Sequence, residues 1–312
     1  MKLGASIACY RWMLDFHRRR DRPEHRTFGW RPAFLQSASP PPVDVPRWEW
    51  MLKKVVELGL EGFYFHAIEL GDEATARAFG AKMSANGLTF NGGLGVNWAA
   101  SADEWDAHDH AYAREQIEMN VAAGSSIATT THLRAPDHNH FSTEPPIAEQ
   151  IDRAIRNFST LMPLCEAARV TLALENHMDY RLSEVAAIVE GVGSPWMKIT
   201  IDSANSFLVL EDPLEGARRA APHTVAVHLK DFSAHPLNET WEPEFRWAPV
   251  GRGHSPIAEI LDLLEAEAPD SETLLAQIET GPPPHQDPDR WLRAGIAHLR
   301  ATASDHFPNQ AI

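Results

Sequence analysis

Short runs rich in aliphatic and β-branched residues recur eight times along the chain, at residues 3–8, 62–66, 88–91, 126–131, 170–175, 198–202, 224–228 and 274–279. Longer amphipathic stretches separate them. Residues 48–58, for example, gather Met51, Leu52, Val55, Val56 and Leu58 toward one helical face. Boundary residues agree with these assignments. Ser101-Ala102-Asp103-Glu104 is a capping box, and Asp212-Pro213-Leu214-Glu215 is another with Pro at the first helical position. Ser255-Pro256 opens a helix through Ile257, Ile260, Leu261 and Leu264, while Gly59, Gly124 and Gly191 supply stops.

Strand and helix alternating in this way call for parallel strands with helical crossovers, and eight repeats over 312 residues favour a (β/α)8 TIM barrel in the α/β class. An open doubly wound sheet is the runner-up. It lacks its glycine fingerprint here, because the first strand runs into Cys9-Tyr10-Arg11-Trp12. The expectation is a single domain over 1–312 with a long loop insertion after strand one at 11–46, lying over the barrel mouth. That insertion carries Arg18-Arg19-Arg20-Asp21-Arg22, then Phe28, Trp30 and Phe34, then Pro40-Pro41-Pro42. Two roles are open for it: a lid touching substrate, or an interface or partly disordered arm.

Composition excludes some functions. A net charge of −15, with no basic run to displace phosphate counterions, argues against a nucleic-acid partner. No stretch approaches the roughly 18 apolar residues of a membrane helix, and the start of the chain reads as a strand rather than a signal peptide. Two cysteines, Cys9 and Cys165, are too few for a disulfide framework and suggest a reducing cytoplasm. The chain also has 16 His and 10 Trp, suited to metal binding, proton transfer and stacking on rings.

In a TIM barrel the carboxyl ends of the strands face the active site. Strand five ends in Glu175-Asn176-His177, strand six in Asp202, strand seven in His228-Leu229-Lys230-Asp231 and strand eight in Glu279. Three carboxylates and an imidazole delivered to one ring would repel or lie unpaired, and a divalent cation resolves that conflict. Oxygen-rich ligation with one His and no thiolate suits Mn²⁺, Mg²⁺ or Co²⁺, with Zn²⁺ also compatible. Each residue alone has a bland reading, as a helix cap, an ion-pair partner or a structural histidine; the four together do not.

The stretches Leu174-Glu175-Asn176-His177, Ile201-Asp202-Ser203-Ala204-Asn205-Ser206, Glu211-Asp212-Pro213-Leu214, Ala221-Pro222-His223, Val227-His228-Leu229-Lys230-Asp231, Pro249-Val250-Gly251-Arg252-Gly253 and Ile278-Glu279-Thr280 follow in an order that resembles the xylose isomerase-like barrel superfamily, the group of sugar phosphate isomerases and epimerases and AP endonuclease family 2. The resemblance spans strand five to strand eight. It implies a (β/α)8 barrel with one divalent metal, Mn²⁺ first among the candidates, held by Glu175, Asp202, His228 and Glu279. Two departures narrow it. Ketose 3-epimerases typically have a His soon after the strand-six Asp, where this chain has Asn205. The nucleic-acid members use more His and Glu ligands on early strands, where this chain has His66 and Glu69, Gly92-Gly93 and His132.

Such a metal can chelate a carbonyl and a neighbouring hydroxyl, so that a proton is removed beside the metal-bound carbonyl. The resemblance implies Glu175 and Glu279 for that step, with His177 and Lys230 as further catalytic candidates. Lys230, two residues past His228, points to the same side and could neutralise an enediolate; a salt bridge with Asp231 or another acid is the alternative. Candidate substrate contacts are His66, His132, His138, His140, Asn205 and Arg252. His138 and His140 share a mouth loop with Arg134 and Asp137, and solvated loop histidines are the bland reading. Trp98, Trp241 and Trp247 could stack on a ring or simply pack.

The resulting expectation is a cytoplasmic, metal-dependent isomerase or epimerase of a keto sugar or polyol, a small-molecule enzyme with no membrane partner. A lyase acting on an oxidised carbohydrate is the rival: a dehydratase, a decarboxylase, or a deglycosidase subunit cleaving a 3-keto C- or O-glycoside. A non-catalytic carbohydrate-binding or partner subunit is the third reading. A homo-oligomer is compatible with all three.

Overall fold

The computed structural model describes residues 1–10, 46–132, 138–235, 244–283 and 286–308. Residues 11–45 of the insertion expected at 11–46, together with Arg134, Asp137, Trp241 and the side chain of His132, lie outside the described residues. Eight parallel strands close into a barrel: β1 Lys2–Ser6, β2 Gly62–His66, β3 Thr89–Val96, β4 Ile127–His132, β5 Thr171–Glu175, β6 Met197–Asp202, β7 Thr224–Leu229 and β10 Leu275–Ile278. Strand β10 pairs with both β7 and β1, which seals the ring.

The two-residue period of a strand sorts the side chains. Leu172 and Leu174, Ile199 and Ile201, and Val227 and Leu229 are fully buried against the helices. The alternate positions, Ala173 and Glu175, Thr200 and Asp202, Ala226 and His228, share the opposite face. Thr129 Oγ1 and Thr200 Oγ1 meet at 2.9 Å although β5 lies between their strands, so that face is the barrel interior. Strand register aligns Asp202 with His228.

The helical layer comprises α1 Arg47–Glu57, α2 Glu73–Ala85, α3 Ala102–Glu104, α4 His110–Ala122, α5 Ile147–Ala168, α6 Leu182–Val192, α7 Pro213–Ala220, α8 Ile257–Glu267 and α9 Pro288–Thr302. Ser101 and Glu104 form the expected reciprocal capping box, and Asp212 accepts from the Leu214 and Glu215 amides. Gly59 and Gly124 adopt the left-handed φ that ends a helix. The stop expected at Gly191 is corrected: α6 continues to Val192 and ends at Gly193, φ +62°. Gly191 serves packing instead, since a Cβ there would stand 2.4 Å from the Ile155 side chain on α5.

A second correction concerns the connection after β7, where the eight expected runs place no strand. It folds into an antiparallel hairpin, β8 Asp231–His235 and β9 Glu244–Ala248. Its alternating pattern, Phe232 and Ala234 facing Phe245 and Trp247, is too short to register as strands by periodicity alone. Among the described residues no helix is long and apolar enough to cross a membrane. Cys9 and Cys165 are buried free thiols.

Candidate functional site

The carboxyl ends of four successive barrel strands converge. Glu175 and Asp202 close β5 and β6, His228 is the penultimate residue of β7, and Glu279 follows β10 by one position. One potential ligand atom from each lies within 4.8 Å of all the others. The Nδ1 atom of His228 stands 3.1 Å from Glu175 Oε1 and 3.2 Å from Glu279 Oε2. Oxygen and nitrogen ligands about 2.0–2.2 Å from an ion stand at most ~4.4 Å apart, so the cluster has nearly the span of a single coordination sphere. His228 Nε2 is buried without a hydrogen-bond partner. Three carboxylates, one imidazole and no thiolate fit a hard or borderline divalent ion such as Mn²⁺, Mg²⁺, Co²⁺ or Zn²⁺.

Local hydrogen bonds hold these side chains in place. Asn176 clamps the neighbouring strand end, donating from Nδ2 to the Asp202 carbonyl at 3.1 Å and accepting from the Asp202 amide at 2.7 Å. Asp202 Oδ1 accepts from the Ala204 and Asn205 amides, which leaves Oδ2 facing the Lys230 ammonium at 2.5 Å. Lys230 also lies 3.5 Å from Glu279 Oε2 and donates to Asn205 Oδ1 at 3.3 Å. Ser203 Oγ fixes the lysine backbone by donating to its carbonyl and accepting from its amide. The ion pair therefore runs to Asp202 and Glu279 and not to Asp231, whose carboxylate accepts from the Gly251, Gly253 and Ser255 amides and folds that turn.

Electrostatics match this arrangement. Burial alone would push the His228 imidazole down, but the Glu175 and Glu279 carboxylates raise it to about 10. Burial opposes the charge on Lys230 as well, and Asp202, Glu279 and Glu175 more than offset it, so the ammonium keeps its proton. Burial likewise opposes ionisation of Glu175 and Glu279, yet the neighbouring cations hold both below the usual carboxylate range. Asp202 differs, because burial raises it above its ordinary range with Lys230 opposing; with all three carboxylates ionised against two cations, one negative charge is uncompensated. Exchanging the His228 proton for a divalent ion brings the cluster to neutrality.

A linked measurement follows. Calorimetric titration of Mn²⁺ in buffers of different ionisation enthalpy should show release of about one proton per ion between pH 7 and 9, vanishing above the His228 value of about 10. Zero release at pH 7 would show that His228 carries no proton for the ion to displace. The metal-free protein should also lose stability as pH rises from 6.5 to about 10, because a raised folded-state value stabilises only while the group is protonated.

Other candidates divide clearly. His66 belongs to the cluster's surroundings: its Nε2 meets the Tyr64 hydroxyl at 3.1 Å, and burial lowers its pKa to about 4, so the ring is neutral. Gly93 makes room for it, since a Cβ there would stand 2.5 Å from the His66 ring. The Tyr64 ring lies 4.7 Å from that of His228; the sequence reading missed this tyrosine, whose signal was its position two residues before His66 on one strand face. His177 is half-buried with an unpartnered Nδ1, and Asn205 Nδ2 is buried and unpartnered as well. His138 is half-buried on the loop before α5.

His140 and Arg252 are placed differently. His140 Nδ1 pairs with Glu184 at 2.7 Å and its amide donates to the Asp179 carbonyl, so it ties two loops together. Arg252 is exposed on the turn that Asp231 organises. Trp98 is fully buried, packing on Tyr180 and Phe158. Trp247 stands over the Lys230 ammonium, 5.2 Å from Nζ. Asp179, also missed, is a buried carboxyl that burial raises well above its ordinary range.

Comparison with known proteins agrees with the fold. A curated relative, the 3-oxo-isoapionate decarboxylase of Pectobacterium atrosepticum, is 31% identical over 90 residues, which is 29% of this chain and 32% of that protein. The match thus spans about a third of the relative's length. The solved IOLI protein with a bound zinc atom superposes with a TM-score of 0.68 at 12% identity, covering 98% of this chain and 99% of that one. The 3-keto-D-glucoside 4-epimerase YcjR of E. coli superposes with a TM-score of 0.63 at 12% identity, covering 96% and 99%. At these identities the superpositions speak for the fold alone. The model of the xylose isomerase-like TIM barrel family matches residues 52–302, taking in seven of the eight barrel strands and all four converging side chains, and the chain belongs to that family.

Proposed function

We propose that this protein is a divalent-metal-dependent enzyme of keto sugars or polyols that removes and returns a proton on the carbon beside a carbonyl, an isomerase or epimerase. The observation that carries this reading is the buried convergence of Glu175, Asp202, His228 and Glu279 with Lys230 embedded among them. A bound ion, Mn²⁺ first among the candidates, supplies a Lewis acid for the carbonyl. Glu175 and Glu279 approach His228 from strand ends separated by β6 and β7, so one carboxylate can take a proton and the other return it. The Lys230 ammonium offers a fixed countercharge to an oxygen that becomes negative. His177, Asn205 and the neutral His66 ring can bond substrate hydroxyls, the first two through nitrogens that have no protein partner. The substrate is a small carbohydrate, and the buried free thiols support a cytoplasmic setting.

Lyase chemistry is the second reading. It draws on the decarboxylase relative and on Asn205, which accepts a hydrogen bond from Lys230 and offers no titrating proton. Incubating Mn²⁺-loaded protein with a panel of keto sugars and keto acids in D₂O distinguishes the two. Deuterium in a product of unchanged composition supports proton-transfer isomerisation; release of CO₂, water or an aglycone supports the lyase. An ion bound with no turnover of either kind overturns both in favour of a carbohydrate-binding protein.

A further inference from the structure

We propose that the β8–β9 hairpin and the segment after β6 form a second subsite beside the proposed sugar site, a narrow apolar strip that takes a flat aromatic substituent carried by the sugar. The inference rests on the sugar reading above for what occupies the inner end. Strand register puts Phe232 opposite Trp247 and Ala234 opposite Phe245, so these four share one face of the hairpin. Ser233, His235, Glu244 and Arg246 take the other. A hairpin at a barrel mouth would ordinarily bury its apolar face and turn its polar face to water. Here the apolar face starts inside the site and runs outward into solvent.

The path can be followed side chain by side chain. Trp247 lies 5.2 Å from Lys230 Nζ, which itself contacts Asp202, and rests edge-on against Phe232 at 4.9 Å. Phe245, two residues earlier on the same face, is 43% exposed and lies nearly parallel to Phe207 at 6.1 Å. Leu210, three residues past Phe207, is 72% exposed.

Leu210 provides an independent observation. Its φ of +55° lies in the left-handed region that a leucine rarely adopts, yet it packs away little of its side chain. Surrounding bonds impose that backbone: Arg181 Nε donates to the Val209 carbonyl at 3.2 Å, the Leu210 amide to the Phe207 carbonyl and the Glu211 amide to the Ser206 carbonyl. Leu210 thus closes the 205–209 turn in the left-handed conformation and holds an exposed apolar side chain close in sequence to Phe207. The strip continues outward from Lys230 through Trp247 to Phe245 and Phe207, so its occupant is a substituent of whatever binds at the inner end, and its aromatic lining suits a flat ring.

The experiment compares methyl and phenyl 3-keto-β-D-glucoside by calorimetry on the full-length Mn²⁺-loaded protein. The phenyl glycoside should bind about tenfold tighter, and Phe245→Ser or Leu210→Ser should reduce that ratio to below about threefold. Equal affinities in the wild type, or a ratio that survives both substitutions, overturn the subsite. If neither glycoside binds, the sugar reading fails separately, and 4-nitrophenol quenching of tryptophan fluorescence decides the subsite: quenching lost in Phe245→Ser supports it, and quenching absent or retained overturns it. A change from dimer to monomer on Phe245→Ser would make the face a contact between copies and also overturn the proposal.

Discussion

Glu175→Gln is expected to lower kcat by roughly a hundred- to ten-thousandfold at saturating Mn²⁺ while the barrel remains folded. The side chain is buried at the end of β5, 3.1 Å from His228 Nδ1, and glutamine keeps its volume and an oxygen there. What disappears is the negative charge that serves both a bound cation and proton removal. His228 then loses its main source of proton affinity, so the pH dependence of metal binding should shift downward as well. Metal content by mass spectrometry separates the two effects. A variant that retains the ion and turns over at the wild-type rate would remove Glu175 from the chemistry; a variant that loses the ion points to ligation as the dominant loss.

Lys230→Met should destabilise the metal-free protein by about 3–5 kcal/mol, because removing one partner of a buried pair leaves the other charged and unpaired. Lys230 is 1% exposed and faces Asp202 and Glu279. Methionine has nearly the same length, so the effect reports charge more than packing. Saturating Mn²⁺ should then raise the denaturation midpoint of the variant more than that of the wild type, since an ion supplies the positive charge the carboxylates have lost. Chemical denaturation with and without Mn²⁺ reads both quantities. Equal stabilities without metal would show that Asp202 and Glu279 do not depend on the lysine.

The two predictions differ in how far the sequence anticipates them. Glu175 is legible because a β/α repeat places the last polar residue of each strand on one rim, and the same rule finds Asp202, His228 and Glu279 without coordinates. For Lys230 the strand period sets the side on which it projects but not its partner. Asp231 is adjacent in sequence, yet three backbone amides of the 251–255 turn already satisfy its carboxylate, and the ammonium reaches Asp202 at the end of the neighbouring strand instead.

Loop residues were less legible still. His140 and Arg252 read alike in sequence as mouth residues, but one is held by Glu184 and the other projects to solvent. Their directions depend on hydrogen bonds to residues 44 positions away in one case and on a turn folded around a distant carboxylate in the other. Trp98 and Trp247 diverge similarly, one in the core and one above Lys230.

By itself the sequence determined the eight barrel strands, their closure into a barrel and the four converging side chains, because periodicity and topology are properties of local order along the chain. Only the tertiary structure decided the pairing of Lys230, the neutral His66 against Tyr64, and the aromatic strip of the β8–β9 hairpin. Each of these depends on burial, charge and contacts made in three dimensions, which spacing along the chain does not select.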